Sequence, residues 1–173
     1  VSTKGFCKSL EHLSFLMTDV KDCHVDTICS HLKTLKELNL WGNWNITTIE
    51  PCTKLSLTLE SLEIGGFGIS IDSKAFQRHI SSMNKLKKLN IRRCHTISTG
   101  HLTTLPTSIE YLDVGFCPQI IDVCAISDRL TKLKHLHMIR AGNKTTADNI
   151  HRIGSLIHLE SLNLRDINMS GEV

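Results

Sequence analysis

Residues 86–94 read Leu-Lys-Lys-Leu-Asn-Ile-Arg-Arg-Cys, and the spacing of the three apolar residues that open this stretch decides the fold. The same pattern, apolar-x-x-apolar-x-apolar, occurs seven times along the chain. The seven segments begin at Leu10, Leu35, Leu59, Leu86, Ile109, Leu133 and Leu159, so successive starts are separated by 25, 24, 27, 23, 24 and 26 residues. This regular recurrence indicates an internal repeat of about 25 residues, whose positions are counted below from its first apolar residue.

The pattern within each repeat predicts one strand and one outer connection. The fourth and sixth positions alternate as in a β-strand, so both side chains point to one face. One repeat buries too little apolar surface by itself, and parallel stacking of neighbours makes a continuous aliphatic core. Between strands, the spacing of Val25, Ile28 and Leu32 is typical of a helix, whereas Pro51 and Pro106 predict a turn or a short 3₁₀ helix.

This arrangement resembles the leucine-rich-repeat proteins. The resemblance implies an α/β solenoid, a horseshoe segment with a parallel β-sheet on its concave face and with helices and short 3₁₀ turns on its convex face. The predicted strands lie near residues 12–15, 37–40, 61–64, 88–91, 111–114, 135–138 and 161–164. Residues 1–6 match the end of a repeat, and neither end shows the polar capping repeat that solenoids use for solubility. We therefore expect residues 1–173 to be one leucine-rich-repeat domain of about seven repeats, taken from a longer array.

The ninth position of the repeat points to a subclass. Cys94 and Cys117 stand there and are followed three residues later by Ile97 and Ile120, while Asn43 takes the same place in the second repeat. This resembles the cysteine-containing repeat, written C-x-x-I-T, of F-box leucine-rich-repeat proteins. The resemblance implies a buried ninth-position side chain and a role in recruiting substrates to a ubiquitin ligase.

Composition narrows the compartment and the kinds of partner. The net charge is +3, with 20 basic and 17 acidic residues, and no long basic run is present, so we do not expect a nucleic-acid partner. No apolar stretch is long enough to span a membrane. The seven cysteines form no CxxC pair, which favours buried thiols in a reducing compartment, the cytoplasm or the nucleus. The alternative is an extracellular or receptor ligand-binding domain, which glycans at Asn45 or Asn143 would favour.

Motifs for catalysis are not found in the sequence. It has no nucleophile elbow and no phosphate-binding glycine loop that opens a helix, so we expect no enzyme activity, no cofactor and no small-molecule substrate. His135 and His137 share one face of the sixth strand, with Asp113 in the preceding strand. We interpret these residues as part of a recognition surface and do not expect a metal site.

The predicted binding surface lies on the concave face. The third and fifth positions of each strand point there, and the seventh and eighth follow where the strand leaves the sheet. Aromatic and arginine side chains are frequent interface anchors. The predicted protein-binding residues are Glu37, Asn39, Trp41, Glu63, Lys88, Asn90, Arg92, Arg93, Tyr111, Asp113, Phe116, His135, His137 and Arg140.

Overall fold

Seven β-strands form one parallel sheet in which strand order follows chain order. The computed structural model describes residues 8–66, 71–122, 124–141 and 151–167. The strands are β1 (His12–Ser14), β2 (Glu37–Asn39), β3 (Ser61–Glu63), β4 (Lys88–Asn90), β5 (Tyr111–Asp113), β6 (His135–His137) and β7 (Ser161–Asn163). Equivalent positions lie opposite each other, as Leu38 does with Leu13 and Leu62. The predicted parallel sheet is confirmed, and each strand occupies the first three residues of its predicted range.

Short helices fill the connections between strands. They are α1 (Asp22–His31), a 3₁₀ helix (Glu50–Leu55), α2 (Ser73–Ile80), α3 (Thr99–Leu102) and α4 (Cys124–Ser127), and residues 151–153 are also helical. The 3₁₀ helix contains Pro51, as predicted, and α3 is a single turn that ends before Pro106. Among the described residues, no helix has both the length and the apolar character needed to cross a membrane.

The core is a continuous aliphatic stack built from the first, fourth and sixth positions of the repeats. In the central repeats these side chains are fully buried; Leu86, Leu89 and Ile91 are each 0% exposed. The side chains at the two ends of the sheet are less covered, and Leu162 in β7 is 41% exposed. This gradient follows from stacking, because a terminal strand has a neighbouring repeat on one side only.

The eighth position has a left-handed backbone in all seven repeats. The residues are Met17, Gly42, Gly66, Arg93, Phe116, Arg140 and Asp166, with φ between 51° and 132°. Such a φ costs an L-residue roughly 1–2 kcal/mol, and glycine adopts it freely. A hydrogen bond between repeats offsets this cost at each of the six junctions. There the eighth-position N–H donates to the seventh-position carbonyl of the next repeat at 2.6–3.1 Å. This conformation therefore extends the inter-repeat hydrogen bonding beyond the strands.

The ninth position is buried and bonded to the backbone. The Asn43 amide group accepts from the N–H groups of Thr18 and Val20, and donates to the carbonyls of Phe15 and Leu40 at 2.6 and 2.9 Å. Cys117 occupies the equivalent place, and its thiol donates to the Ile91 carbonyl at 3.2 Å. Both contacts reach the sixth-position carbonyl of the preceding repeat, so an amide and a thiol satisfy the same backbone group.

A row of alternating charge runs along the edge of the sheet where the strands begin. The second positions of the repeats are Glu11, Lys36, Glu60, Lys87, Glu110, Lys134 and Glu160. Three consecutive pairs form ion pairs at 2.7–2.8 Å. The hydrogen bond from Lys87 lowers the pKa of Glu60, and the same bond raises the pKa of Lys87. Solvent-exposed pairs of this kind add little stability each, but the alternation leaves this edge with almost no net charge.

Candidate protein-binding surface

The side of the sheet that carries the third and fifth positions is called here the open face. Because these positions alternate with the buried fourth position, their side chains point away from the core. The structure places the fourteen predicted residues unequally. Glu37 and Arg140 are exposed, Asp113 is buried, and the other eleven are half-buried.

The first half of the open face is acidic. Glu37 lies beside His12, with Oε2 3.0 Å from Nδ1, and Glu63 lies on the neighbouring strand. A depression of about 260 Å³ is lined by these three residues together with Ser14, Asn39 and Ser61. This end of the face therefore presents carboxylates to a ligand.

The centre of the open face is a connected row of side chains. Lys88 donates to Glu63 at 2.7 Å, which raises the pKa of Lys88. The Lys88 ammonium also lies 5.4 Å from the centroid of the Tyr111 ring, and the Tyr111 hydroxyl lies 3.2 Å from His137 Nδ1. The ring of His135 is 6.0 Å from that of Tyr111. Burial raises the pKa of Tyr111, so its hydroxyl remains protonated at neutral pH and can donate to a ligand.

Asp113 does not offer the contact surface that the sequence predicted, because it is 4% exposed. Its Oδ1 accepts from the backbone N–H of Gly115 at 2.8 Å, and its Oδ2 lies 3.8 Å from Arg92 and 3.9 Å from His137. The residue closes the turn at the end of β5 and places a negative charge beneath two predicted contact residues. Its role is therefore one of positioning.

The same turn recurs at other fifth positions. The side-chain oxygens of Asn39, Asn90 and Asn163 each accept from the backbone N–H two residues later, at 2.9–3.1 Å. Asn39 and Asn90 were predicted as contact residues, and the side-chain oxygen of each is already hydrogen-bonded to the backbone. A sequence signal existed, because Asn or Asp stands at the fifth position in four of the seven repeats and both favour such turns.

At the end of the strands, the seventh, eighth and tenth positions form an edge that is called here the exit rim. In the fourth to sixth repeats it is basic and aromatic. The guanidinium carbons of Arg92, Arg93 and Arg140 lie 4.7, 4.9 and 5.5 Å from the centroid of the Phe116 ring. Arg140 also pairs with Asp166 at 3.1 Å. Trp41, predicted in the same set, lies three repeats from Phe116 and does not join this group.

The tenth position contributes residues that the sequence reasoning missed. His95 and Pro118 line a groove of about 470 Å³ together with Arg93, Phe116 and Arg140. Trp44 holds the same position in the second repeat and is 60% exposed. The sequence could have indicated these residues, because all three stand directly after the ninth position of a repeat. The predicted binding surface included positions only as far as the eighth.

The histidines do not assemble a metal site in the part of the chain that the structure describes, where no three His, Cys, Asp or Glu side chains are placed to hold an ion. His137 Nδ1 faces the Tyr111 hydroxyl and Asp113. His135 packs toward the Tyr111 ring. Both histidines therefore belong to the connected row on the open face.

Comparison with known proteins identifies the fold. No protein-family pattern and no curated protein sequence matches the chain. Among solved structures, a chain of the yeast Rad7–Elc1 complex matches with a TM-score of 0.73 and 17% identity, over 90% of this chain and 42% of that one. Internalin C2 of Listeria monocytogenes matches with a TM-score of 0.55 and 21% identity, over 92% and 73% of the two chains. The functional domain of InlJ from the same bacterium, which includes a cysteine ladder, matches with a TM-score of 0.55 and 19% identity, over 95% and 36%.

These likenesses show a leucine-rich-repeat solenoid, and the predicted fold class is confirmed. The sheet is open, with strands in chain order and helices in the connections. The chain spans less than half of the matched yeast chain.

Proposed function

We propose that this chain is a non-enzymatic scaffold that holds a protein partner against the open face and the exit rim. The observation that carries the proposal is the connected row from Glu63 through Lys88 and Tyr111 to His137, which lies outside the core. These side chains hold one another in place before a partner arrives, and such preorganisation reduces the entropy cost of binding. The row also combines apolar area with hydrogen-bonding groups, as interface anchors do.

The proposal is tested by removing the centre of the row. Tyr111→Ala and His135→Ala should each reduce capture of the partner by the immobilised chain about tenfold, because each truncates a half-buried ring at the centre of the face. The matched controls are Lys74→Ala and Gln77→Ala, which truncate exposed side chains on α2. Captured proteins are compared by quantitative mass spectrometry, with melting curves recorded for every variant. Equal capture by all four variants would exclude the open face as the binding surface.

The finer role that we propose is substrate recruitment within a ubiquitin ligase. Two observations support it. The ninth-position Cys94 and Cys117 are buried and bonded to backbone carbonyls, as the resemblance to F-box leucine-rich-repeat proteins implies. In addition, the yeast Rad7 structure that this fold resembles was solved in complex with Elc1. Immunoprecipitates of the full-length protein should assemble ubiquitin chains when supplied with ubiquitin, activating and conjugating enzymes and ATP; inactive precipitates would remove this role.

We also propose a cytoplasmic or nuclear location. Cys29 and Cys52 are free thiols buried in the core, as suits a reducing compartment. The Asn45 amide donates to the Asp19 carboxylate, so the first candidate glycosylation site is already engaged. Asn143, the second, lies outside the described residues. Glycans at either asparagine in the native protein would favour the extracellular alternative.

A further inference from the structure

The exit rim changes character halfway along the molecule. In the first two repeats it is mainly apolar: Leu16, Met17 and Trp44 are 53%, 68% and 60% exposed, and Asp19 stands at the tenth position of the first repeat. In the third repeat the seventh and eighth positions are glycines. The rim of the fourth, sixth and seventh repeats carries arginine. The two halves of the rim therefore differ in chemistry. A ligand that lies along the rim binds best in the one orientation that places its apolar part on the apolar half and its acidic part on the basic half.

The basic half concentrates positive charge around one ring. Three guanidinium groups lie 4.7–5.5 Å from the centroid of the Phe116 ring. Arg165 extends the group, with its Nε 3.8 Å from Asp166. Asp113 pairs with Arg92, and Asp166 pairs with Arg140 and Arg165. The rim positions of the fourth to seventh repeats hold four arginines and one aspartate, so this half of the rim has a positive formal charge that a carboxylate would offset.

The basic half of the rim contains a groove of about 470 Å³. Arg93 and Arg140 stand at the eighth positions of the repeats that flank Phe116, and the three residues line the groove with His95 and Pro118. The backbones of Arg93 and Arg140 are left-handed and are hydrogen-bonded to the next repeat, which fixes the positions of their Cα atoms. A carboxylate between the two guanidinium groups would gain charge-assisted hydrogen bonds, while Phe116 and Pro118 offer apolar contact to its neighbours.

We infer that the groove between Arg93, Phe116 and Arg140 binds an extended acidic segment of a protein partner. This inference rests on the proposed scaffold function and names the chemistry of the segment that the scaffold holds. Trp44 and Phe116 are three strands apart, about 14 Å at the usual strand spacing. An extended chain covers that distance in about four residues. The segment therefore carries an apolar residue about four positions from its acidic residues.

The distribution of charge favours a peptide over a nucleic acid. Beyond the basic half of the rim, the open face presents Glu37 and Glu63. The second-position row alternates in sign along the whole sheet. A long polyanion would meet these carboxylates, whereas a short acidic segment of a peptide fits within the basic half.

The experiment is a selection of short random peptides displayed on phage, carried out on the 173-residue chain and on charge variants. Peptides selected by the unaltered chain should be enriched in Asp and Glu, with an apolar residue about four positions away. In anisotropy titrations of a selected, labelled peptide, Arg93→Glu should weaken binding by about tenfold or more, and Arg93→Gln by less. The control Arg78→Glu, which makes the same charge change on α2, should leave binding unchanged.

Several results would overturn the inference. They are selected peptides without acidic enrichment, equal binding by Arg93→Glu and Arg78→Glu, and tighter binding of a labelled single-stranded RNA than of the selected peptide. The Arg93→Gln variant keeps the test valid if the charge reversal impairs folding. The scaffold function has a separate readout: if capture of the native partner is lost in Tyr111→Ala but unchanged in Arg93→Gln and Arg93→Glu, the groove inference fails and the scaffold function stands.

Discussion

At the residue scale, the ninth position shows how one side chain can join two repeats. Asn43 is 0% exposed and engages four backbone groups that lie on both sides of the junction between the first two repeats. A buried backbone group without a partner is costly. A short polar side chain at this position therefore stabilises the fold mainly by hydrogen bonding to backbone groups, and less by its own burial.

Replacing Asn43 tests this role. Asn43→Ala should lower the free energy of unfolding by about 3 kcal/mol, because buried donors and acceptors lose their partners. Asn43→Cys should lower it less, because a thiol at this position can still donate to the preceding repeat, as Cys117 does. Urea titration followed by circular dichroism measures both values. Equal losses for the two variants would show that the hydrogen bond to the preceding repeat does not matter.

At the element scale, the connections are stabilised locally. Helix α2 begins after Asp72, whose carboxylate accepts from the N–H groups of Lys74 and Ala75 at 2.9 and 3.0 Å. These bonds satisfy donors that the first turn of a helix leaves without intrahelical partners. The hydrogen bond from Ala75 is the main reason why the pKa of Asp72 lies below its usual value.

The lowered pKa predicts a pH dependence for this cap. Because the folded-state pKa lies below the unfolded one, the stabilisation is present above about pH 4 and is lost as the pH falls through the folded pKa. Asp72→Ala should therefore lower the urea midpoint at neutral pH, and the difference from the unaltered chain should shrink in acid. Asp72→Asn, which can cap without titrating, is the matched control. A difference that persists unchanged in acid would contradict the assignment of the stabilisation to the carboxylate.

At the scale of the whole molecule, the core and the surfaces use different positions of the repeat. Apolar positions stack between the sheet and the helices, the second positions form the alternating row, and the residues that we propose to face a partner occupy the open face and the exit rim. The described cysteines follow this division, since Cys23 is exposed while Cys29, Cys52, Cys94 and Cys117 are buried. Burial raises the pKa of Cys94 well above its usual value and that of Cys117 to about 12.

This division predicts the reactivity of the thiols. In a chain with Cys7→Ser and Cys124→Ser, which removes the two cysteines whose side chains are not described, Ellman's reagent should titrate one thiol rapidly at neutral pH. The remaining four should react after denaturation in guanidinium. The control Cys23→Ser should abolish the rapid phase. Rapid reaction of a second thiol would mean that a junction between repeats opens readily in the native state.

Much of this could be predicted from residue spacing alone. The repeat frame placed all seven strands, because the fourth-position leucines must be buried wherever repeats stack. The sequence also predicted a turn or a short 3₁₀ helix at Pro51, and it placed the arginines near the ends of the strands. The repeat pattern could not show that the Asp113 side chain accepts from the Gly115 N–H. Alternation predicts that a fifth-position side chain points away from the core, but a short polar side chain at such a position can also fold back and bond to its own backbone.

The sequence by itself determined the period, the strand positions and the identity of the residues on each face, because burial of a periodic apolar pattern leaves one solution. Only the tertiary structure decided which of those residues meet. Phe116 contacts Arg92 and Arg93 of the preceding repeat and Arg140 of the following one, and Tyr111 contacts Lys88 and His137 on the two adjacent strands. These contacts depend on the register between repeats and on the left-handed eighth position, where backbone hydrogen bonds join each repeat to the next.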